Sequence, residues 1–404
     1  DLDRFKEVND LFGHAAGDTL LKQVGEVLTK SLAGDQYAAR LSGDEFAIVL
    51  PDIAEPSEAG AVAARIIDNM ADANRRATDG IHMGASLGIS VYPDNGEDQT
   101  ALLNHADTAL YRAKQEGRGT YSYFQDEMGA KVRARRLLEH DLRVAVDKGE
   151  MRLLYQPQVR VQTGEVTGFE ALVRWEHPTR GMVSPADFIP LAEESRLILK
   201  IGGWVMRTAC AEAASWENPL SVAVNVSAVQ LHHHDFAENL QMILRETGLS
   251  PRRLEIEITE TALVKDMARA IATLAKVKAL GVRIAMDDFG TGYSSLSNLR
   301  AFEFDKIKVD QSFIRSVDLS EQSATIVRAV LGLGKGLNLP VLAEGVERAE
   351  EMEFLAGEIC AEAQGYLVSK PVEIAEFEQF TSGRVRNWSK PLLARERKKT
   401  GSGG

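Results

Sequence analysis

The sequence predicts an α/β protein built from two unequal parts, the larger of which is a (β/α)8 barrel. The chain has 404 residues, which is too long for one average domain. Short apolar segments typical of strands alternate with longer segments of helical periodicity along almost the whole chain. From Met151 onward this alternation provides about eight strands with helices between them, the number that closes such a barrel.

The first part, residues 1–126, is predicted to be a smaller α/β domain. Helical periodicity predicts helices over residues 9–32, 58–73 and 100–115. Apolar runs predict strands over residues 37–41, 46–51 and 84–91. Between the first two strands, the residues Ser42-Gly43-Asp44-Glu45 are typical of a hairpin tip. Residues 127–148 combine helical spacing with many Arg and Lys, which predicts a linker helix between the two parts.

The barrel is predicted over residues 149–383, followed by a basic tail over 384–404 that we expect to be disordered. Its strands are predicted at residues 153–158, 167–175, 221–226, 254–259, 283–287, 305–309, 340–343 and 365–367. The intervening helices are predicted at residues 187–199, 201–217, 235–247, 266–280 and 323–337.

Composition and charge exclude several classes of protein. Hydrophobic residues make up 44% of the chain and charged residues 26%, which excludes a disordered or fibrous protein. The net charge of −12 argues against a binder of nucleic-acid polymers, which would need a basic face. Two cysteines, Cys210 and Cys360, provide neither a disulfide framework nor metal-ligand spacing, so we expect a packing role for them and a cytoplasmic location.

The termini and the hydropathy indicate whether the sequence contacts a membrane and whether it is part of a longer protein. No apolar run approaches the length of a membrane span, so we expect no membrane contact from this sequence. The chain opens at Asp1 without an initiator Met, and we therefore expect it to be a segment of a longer protein. The upstream part of that parent protein could include a membrane anchor.

Acidic and polar side chains follow the ends of the predicted barrel strands. In (β/α)8 barrels, active sites gather at the carboxyl ends of the strands. Carboxylates that converge there from different strands would repel each other unless cations lie between them. An all-oxygen ligand set favours Mg²⁺ or Mn²⁺ over Zn²⁺. The residues at these positions are Glu170, Asn225, Glu257, Asp287, Asp288, Lys308, Glu344 and Gln364.

The adjacent Asp287 and Asp288 favour a site for two metal ions. One carboxylate of such a pair can bridge two ions while the next serves only the second, an arrangement suited to in-line attack of water on a phosphodiester. Lys308 would hold the attacking water or neutralise charge in the transition state. A single acidic residue after a strand is more often a helix cap or a solvated charge, so the inference depends on the whole set.

Long motifs surround these residues and carry a resemblance to a known family. In chain order they are Phe169-Glu170-Ala171-Leu172-Val173-Arg174-Trp175-Glu176-His177-Pro178, Asn225-Val226-Ser227, Glu257-Ile258-Thr259-Glu260, Asp287-Asp288-Phe289-Gly290-Thr291-Gly292-Tyr293-Ser294-Ser295-Leu296, Lys308-Val309-Asp310, Ala343-Glu344-Gly345-Val346-Glu347 and Gln364-Gly365-Tyr366. Together they resemble the signature of EAL-domain cyclic di-GMP phosphodiesterases over residues 137–383. The resemblance implies a barrel whose first strand runs antiparallel to the others, and metal-dependent hydrolysis of cyclic di-GMP to linear pGpG.

The resemblance also implies the ligands of two Mg²⁺ or Mn²⁺ ions. The ligands of the first ion would be Glu170, Asn225, Glu257 and Asp287. Those of the second would be Asp287, Asp288 and Glu344. Degenerate relatives that bind cyclic di-GMP without cleaving it lose several of these residues, and this sequence retains all of them. Catalysis would therefore depend on Glu170, Asp287 and Glu344 together with Lys308.

Further roles follow from the same resemblance. Lys308 would hold the hydrolytic water, and Gln156, Arg174 and Gln364 would contact the substrate. Glu260 would anchor the loop at residues 288–296, which in the family couples dimerisation to metal binding. The resemblance thus implies a homodimer formed through the barrel.

The first part of the chain carries a second resemblance. Its motifs are Asp1-Leu2-Asp3-Arg4-Phe5-Lys6-Glu7-Val8-Asn9-Asp10, Gly13-His14, Gly17-Asp18, Ser42-Gly43-Asp44-Glu45-Phe46 and Ala109-Leu110-Tyr111-Arg112-Ala113-Lys114 with Arg118. They are similar to those of the GGDEF diguanylate cyclase domain. The similarity implies Mg²⁺ at Asp1 and Asp44, guanine at Asn9 and Asp18, GTP phosphates at Lys114 and Arg118, and Glu45 beside the attacking hydroxyl.

Three departures from the GGDEF pattern limit what this first part is expected to do. The signature begins with Ser42 instead of Gly, and the family's inhibitory site lacks its arginine at Leu32-Ala33-Gly34-Asp35. The opening helix and most of the first strand of the family domain have no counterpart before Asp1. We therefore expect a regulatory, GTP-binding role, with cyclase activity only in an intact parent protein.

Other interpretations remain beside the leading one. The barrel could be a receptor that holds cyclic di-GMP without cleaving it, although a receptor has no need of so many acids directed at metal ions. The glycines Gly332, Gly334 and Gly336 suggest a dinucleotide loop, but they lie late in a predicted helix rather than at its start. The run His232-His233-His234 is expected to be a solvated loop, since consecutive histidines cannot all face one ion.

Overall fold

The structure is a computed structural model, and it describes residues 1–76, 83–264, 266–290 and 301–388. Contacts divide the chain into two compact units, Asp1–Leu137 and Leu138–Gly404. Each unit has a hydrophobic core of its own. Within the described residues, none of the helices has the length and apolar character needed to cross a membrane.

The first unit mixes helices with short strands. Its elements are α1 (Phe5–Phe12), α2 (His14–Ser31), β1 (Tyr37–Ser42), β2 (Glu45–Val49), α3 (Pro56–Arg76), β3 (Leu87–Ile89), α4 (Gln99–Gln115), β4 (Tyr121–Tyr123) and the start of α5 (Asp126–Ala145). The helix α5 runs across the predicted linker and continues into the second unit.

The prediction of one helix over residues 9–32 is wrong, because the chain forms two helices there. Gly13 breaks the run with a φ of +83°, a left-handed value that favours glycine. The chain then folds back so closely that a Cβ on Gly17 would lie 2.0 Å from Asn9 Oδ1. Apolar periodicity alone does not register such a break, since Leu11 and Leu20 continue the same helical spacing.

The predicted hairpin is confirmed and lies beside the chain start. Strands β1 and β2 are antiparallel, with Ser42 opposite Glu45 and Gly43 in a left-handed conformation at the turn. The N–H of Leu2 donates to Asp44 O, and Leu2 bridges to Ala85 ahead of β3. The first residues therefore lie between the hairpin tip and the segment that leads into β3.

The second unit is an eight-stranded barrel, as predicted. Its strands are β5 (Met151–Arg160), β6 (Val166–His177), β8 (Ser221–Asn225), β9 (Leu254–Thr259), β10 (Arg283–Phe289), β11 (Lys306–Val309), β12 (Val341–Ala343) and β13 (Glu362–Ala363), while β7 (Gly181–Val183) extends β6 as a hairpin. The first strand β5 is antiparallel to both of its neighbours, β6 and β13, and the other barrel pairs are parallel. This orientation confirms the fold that the family resemblance implies.

Helices surround the barrel strands. They are α6 (Pro185–Glu194), α7 (Ile198–Ser215), α8 (Ala228–Leu231), α9 (Phe236–Thr247), α10 (Thr261–Val264), α11 (Met267–Ala279), α12 (Gln311–Ile314), α13 (Glu321–Leu337), α14 (Ala349–Gly357) and α15 (Glu378–Thr381), with 3₁₀ turns at Pro251–Arg253 and Ile374–Phe377. Gly332, Gly334 and Gly336 lie inside α13, so they form no nucleotide loop. Both cysteines are buried and unpaired, in agreement with a packing role.

The last predicted strand, at residues 365–367, is wrong. The eighth strand is Glu362–Ala363, and the chain turns immediately after Gln364. Gly365 lies so close to Val346 that a Cβ would be 2.2 Å from Val346 O, and the N–H of Val346 donates to Gln364 O. The motif Gln364-Gly365-Tyr366 therefore forms the turn above the strand and not the strand itself.

The ordered part of the barrel unit extends beyond residue 383. Trp388 stacks on Phe380 with ring centroids 5.2 Å apart, and Asn387 bridges to Glu165. Residues 384–388, which fall in the predicted tail, therefore lie against the barrel. The remainder of that tail, residues 389–404, lies outside the described residues.

Candidate active site

Lys308 lies at the centre of a cluster of acids at the carboxyl ends of the barrel strands. Strand β11 carries its side chain into the barrel, where Lys308 is only 1% exposed. Its Nζ atom lies 2.6 Å from Glu344 Oε1, 2.7 Å from Glu257 Oε2 and 3.2 Å from Asp287 Oδ1. Glu170 Oε2 is 3.9 Å away. The barrel thus brings together predicted site residues that are far apart in the sequence.

The carboxylates of Asp287 and Asp288 lie in the same cluster, although the two residues are consecutive. Side chains of neighbouring strand residues normally project to opposite faces. Asp288 has a φ of +54°, a left-handed conformation that costs a non-glycine residue free energy of order 1–3 kcal/mol. Oxygens of Asp287, Asp288 and Glu344 consequently lie within 4.8 Å of one another, close enough to share a cation. These residues are the set predicted to hold the second metal ion.

Amide side chains hold Glu170 on both of its oxygens. Asn225 Nδ2 donates to Glu170 Oε1 over 2.6 Å, and Gln364 Nε2 donates to Glu170 Oε2. The same Gln364 Nε2 donates to Gln156 Oε1 over 2.8 Å. Glu257 Oε1, in contrast, is buried with no hydrogen-bond partner among the described residues. A buried carboxylate oxygen without a donor is suited to a cation ligand.

The pKa values of these groups depart from their ordinary values because of burial and mutual repulsion. Burial raises the pKa of Glu344 to about 8, although Lys308 opposes the shift. Burial and the charge of Asp287 raise the pKa of Asp288 to about 6. Burial and the charge of Glu170 raise the pKa of Glu257 well above its ordinary value. The ammonium of Lys308 alone therefore does not neutralise the cluster, and the residues present fit a site for divalent cations.

The pKa values of Lys308 and Glu170 shift in the directions that keep both side chains charged. Burial lowers the pKa of Lys308, but the surrounding carboxylates, Asp287 and Glu170 first, outweigh it and raise the pKa well above its ordinary value. Burial raises the pKa of Glu170, but Lys308 and the amides of Gln364 and Asn225 outweigh it and hold the pKa below its ordinary value. At neutral pH, Lys308 is therefore a hydrogen-bond donor and Glu170 a carboxylate.

Two of the predicted substrate residues, Gln156 and Arg174, lie on the neighbouring strands β5 and β6, and the third, Gln364, follows β13. Gln156 is directly opposite Glu170 in the strand register, and its Nε2 donates to Ser369 O over 2.9 Å. Arg174 follows on β6, half-buried, and its Nη1 donates to Val173 O. Burial lowers the pKa of the Arg174 guanidinium, and Tyr366 and Glu170 oppose that shift. An arginine beside these acids is suited to bind a phosphate that approaches the cluster.

Glu260 is buried directly after β9. The loop that it is predicted to anchor includes residues 291–296, which lie outside the described residues. Its role as a loop anchor therefore stays a prediction.

Predicted site residues of the first unit also come together in part. Lys114 Nζ lies 2.6 Å from Asp1 Oδ1, and Ser42 Oγ donates to Glu45 Oε2 over 3.1 Å. The backbone of Asp44 accepts from Leu2, next to Asp1.

The remaining predicted residues of the first unit lie on its helices or just after them. Asn9 on α1 contacts Gly17 on α2, immediately before Asp18. Arg118 follows α4 with a φ of +65°, and its N–H donates to Ala113 O.

A second buried polar layer, which was not among the predicted site residues, lies within the barrel. Lys306 Nζ lies 2.8 Å from Glu255 Oε1 and 2.9 Å from Glu362 Oε2. Lys306 and Glu255 precede Lys308 and Glu257 by two residues on their strands. Because side chains alternate along a strand, that spacing was the available signal for a second inward-facing layer.

Comparison with known proteins agrees with this geometry. The family model of the EAL domain matches residues 139–371, and that of the diguanylate cyclase GGDEF domain matches residues 1–120. The cyclic di-GMP phosphodiesterase PdeR of Escherichia coli is 40% identical over 383 residues, which cover 94% of this chain and 58% of PdeR. The bifunctional diguanylate cyclase/cyclic di-GMP phosphodiesterase MucR of Pseudomonas aeruginosa is 38% identical over 376 residues, which cover 92% of this chain and 55% of MucR.

An uncharacterized signaling protein of Caulobacter vibrioides is 51% identical over 383 residues, which cover 95% of this chain and 47% of that protein. The chain thus spans about half the length of the curated relatives it matches. Among solved structures, the MucR phosphodiesterase in complex with c-di-GMP has a TM-score of 0.58 and 38% identity, covering 60% of this chain and 99% of that one.

Proposed function

Because the chain belongs to the EAL-domain family and carries a GGDEF domain ahead of its barrel, we propose that it hydrolyses cyclic di-GMP to linear pGpG at the barrel mouth. The observation that carries the proposal is the cluster around Lys308, where carboxylates of Glu257, Asp287 and Glu344 lie within 3.2 Å of its ammonium. The named activities of PdeR and MucR support the same substrate.

Two Mg²⁺ or Mn²⁺ ions are proposed to complete the site. The unpartnered Oε1 of Glu257 and the close approach of Asp287, Asp288 and Glu344 support this part of the proposal. When bound, such ions lower the pKa of a water and offset charge on the phosphate. The proposed ligands are Glu170, Asn225, Glu257 and Asp287 for one ion, and Asp287, Asp288 and Glu344 for the other.

The side chains of the chain itself then orient the reactants. Lys308 stays protonated at neutral pH, so it is proposed to donate a hydrogen bond to the attacking water and not to act as a base. Arg174 would bind the phosphate through its guanidinium, whose planar donors suit phosphate oxygens. Gln156 and Gln364 would offer amide contacts to the nucleotide. The asparagine and glutamine that hold Glu170 keep its carboxylate in one orientation during turnover.

The first unit is proposed to bind GTP with Mg²⁺ and to regulate the barrel. Within it, the 2.6 Å contact between Lys114 and Asp1 and the proximity of Asp44 to Leu2 support a site for phosphates and a metal. We assign residues 1–126 to this GGDEF domain, 127–148 to the linker and 149–383 to the EAL domain. A homodimer through the EAL domain completes the proposal.

The experiment that tests the function is chromatography of cyclic di-GMP after incubation with the purified chain, with Mg²⁺ or Mn²⁺ and then with EDTA. We expect pGpG to form only with metal. Glu170→Ala and Asp287→Asn should abolish product formation while the fold persists, because each removes a carboxylate from the cluster around Lys308. The exposed surface pair of Lys276 and Glu238 provides a matched control, since Glu238→Gln should leave turnover unchanged.

Tight binding of cyclic di-GMP without any pGpG would refute the phosphodiesterase and favour the receptor interpretation. Near-normal turnover in Glu170→Ala or Asp287→Asn would refute the assignment of the metal ligands instead.

A further inference from the structure

The buried layer beneath the active-site cluster is centred on Lys306. Lys306 is 4% exposed, and its Nζ lies within 2.9 Å of one oxygen each of Glu255 and Glu362. The same Nζ donates to Gln158 Oε1 over 3.4 Å, and Gln158 is 1% exposed. Apolar residues of similar volume would often fill such a space at no cost in stability. A buried charged layer is therefore weak evidence for a role in stability, and its contacts point to where else it could act.

A chain of hydrogen bonds leads from Lys306 to the active site. Gln158 Nε2 donates to Gln364 Oε1 over 3.1 Å. Gln364 Nε2 then donates to Glu170 Oε2 and to Gln156 Oε1. The buried layer is thus connected, through two amide side chains, to a carboxylate that the proposed function assigns to a metal ion.

The ammonium of Lys306 determines which end of each amide donates and which end accepts in this series of hydrogen bonds. An ammonium has donors and no acceptor, so Gln158 must turn its carbonyl oxygen toward Lys306 and its NH₂ group toward Gln364. Gln364 then receives that hydrogen bond on its own oxygen and must turn its NH₂ group toward Glu170. The acceptor-only carboxylate of Glu170 favours the same orientation from the other end, since an oxygen of Gln364 facing it would be repelled. The ammonium of Lys306 extends this preference to Gln158 and so to the whole series of hydrogen bonds.

We propose that Lys306 is a positioning residue, which acts through Gln158 and Gln364 to hold Glu170 in the orientation of a divalent-cation ligand. The inference deepens the proposed function and rests on it for the reaction, but its central prediction concerns metal affinity and needs no turnover. Partners that orient metal ligands commonly change metal affinity or activity by about 10–100-fold when they are removed.

The decisive variant is Gln158→Met, which removes both amide hydrogen bonds and leaves Lys306 paired with Glu255 and Glu362. Mn²⁺ binding is measured without nucleotide, from the electron paramagnetic resonance signal of free Mn²⁺ during titration. We expect the Kd for Mn²⁺ to rise by about tenfold or more, in the range usual for such partners. With cyclic di-GMP, kcat should fall by a similar factor, because Glu170 is then held less well as a metal ligand.

Two further variants separate positioning from packing. Lys306→Arg keeps a donor-only cation, so it should retain more of the Mn²⁺ affinity than Gln158→Met does. Gln230→Met is the matched control, since Gln230 is another buried glutamine, 6% exposed, that caps α8 away from the chain of amides. It should lower stability without changing the affinity for Mn²⁺. Gln158→Asn serves as a second test that retains a polar group, and its shortened amide should weaken Mn²⁺ binding as well.

Unchanged Mn²⁺ affinity in folded Gln158→Met or Gln158→Asn would overturn the positioning role, as would equal losses in Gln158→Met and Gln230→Met. Failure of the proposed function has a different signature. An unaltered chain that binds Mn²⁺ but forms no pGpG would refute the phosphodiesterase, whereas the difference in Mn²⁺ affinity between the variants would still decide whether the hydrogen bonds that connect Lys306 to Glu170 position that carboxylate.

Discussion

Replacement of Lys308 by Met would remove the only ammonium within 4 Å of the active-site acids in the part of the chain that the structure describes. Loss of one partner from a buried ion pair typically costs about 3–5 kcal/mol, because the remaining charge has no compensation. Here Glu257, Asp287 and Glu344 lie within 3.2 Å of the lost group. The cost at pH 8 should therefore lie in that range.

The unfolding temperature of the barrel measures this cost directly. All 4 tryptophans of the chain, at positions 175, 204, 216 and 388, belong to the barrel unit, so their fluorescence reports that unit alone. A loss of 3–5 kcal/mol in a domain of this size corresponds to a drop of roughly 6–20 °C. With EDTA at pH 8, we expect Lys308→Met to unfold that much earlier than the unaltered chain.

Two comparisons make the Lys308 prediction specific. Lys276→Met removes an exposed ion pair with Glu238, whose side chains are 60% and 58% exposed, so it should leave the unfolding temperature almost unchanged. Mn²⁺ should restore more stability to Lys308→Met than to the unaltered chain, because the ion replaces a missing positive charge. If Lys308→Met unfolds at the original temperature in EDTA, the ammonium does not compensate the acids and the electrostatic reasoning is refuted.

Three shorter predictions follow. In EDTA, the unfolding temperature should fall as the pH rises from about 4 to 8. The folded-state pKa of Glu344 is raised to about 8, so its carboxyl ionises more easily in the unfolded chain. An unfolding temperature that does not change over this pH range would contradict the prediction. Gly365→Ala places a Cβ 2.2 Å from Val346 O, so it should destabilise the barrel by about 1–3 kcal/mol. It should also lower kcat, because it displaces the neighbouring Gln364. Gly357→Ala is the control, since its Cβ would meet no atom within 4 Å. Arg174→Lys should raise KM by roughly tenfold, since one ammonium cannot replace a guanidinium on a phosphate, and an unchanged KM would exclude that contact.

The barrel and its mouth were predictable because the signals are local. Each strand is a short apolar run, and the carboxyl ends of parallel strands meet at one end of a barrel, so acids placed after strands had to converge. Glu257 and Lys308 could therefore be assigned to one cluster although 51 positions separate them. The family motifs added the antiparallel first strand, which apolar periodicity alone does not encode.

Features set by contacts distant in sequence were not predictable in the same way. The break at Gly13 leaves the apolar spacing intact, and the end of the last strand is set by the approach of Gly365 to Val346. The left-handed conformation of Asp288 likewise has no signal in the apolar spacing. The layer around Lys306 was missed for another reason. Charged residues inside strands are normally solvated, and only the closed barrel shows that Lys306 faces inward.

The two buried layers differ in charge balance, and this difference indicates which of them takes metal ions. In the lower layer, Lys306 and Arg283 face Glu255 and Glu362, so opposite charges are equal in number. In the upper layer, Lys308 is the cation that the described residues place among five carboxylates, those of Glu170, Glu257, Asp287, Asp288 and Glu344. The upper layer therefore has an excess of about four negative charges when all its acids are ionised, the amount that two divalent cations neutralise.

Without such ions, protons offset part of the excess: burial, together with the charge of Asp287, raises the pKa of Glu344 to about 8 and that of Asp288 to about 6. The lower layer has no such excess, and the pKa of Glu362 is lowered instead, since Lys306 outweighs the effect of burial. One strand, β11, thus supplies a lysine to both layers with opposite consequences. Lys306 completes the charge balance of its layer, so that layer does not attract further cations, and its donors orient the amides of the layer above. Lys308 does not balance the charge of its layer, so that layer can bind metal ions.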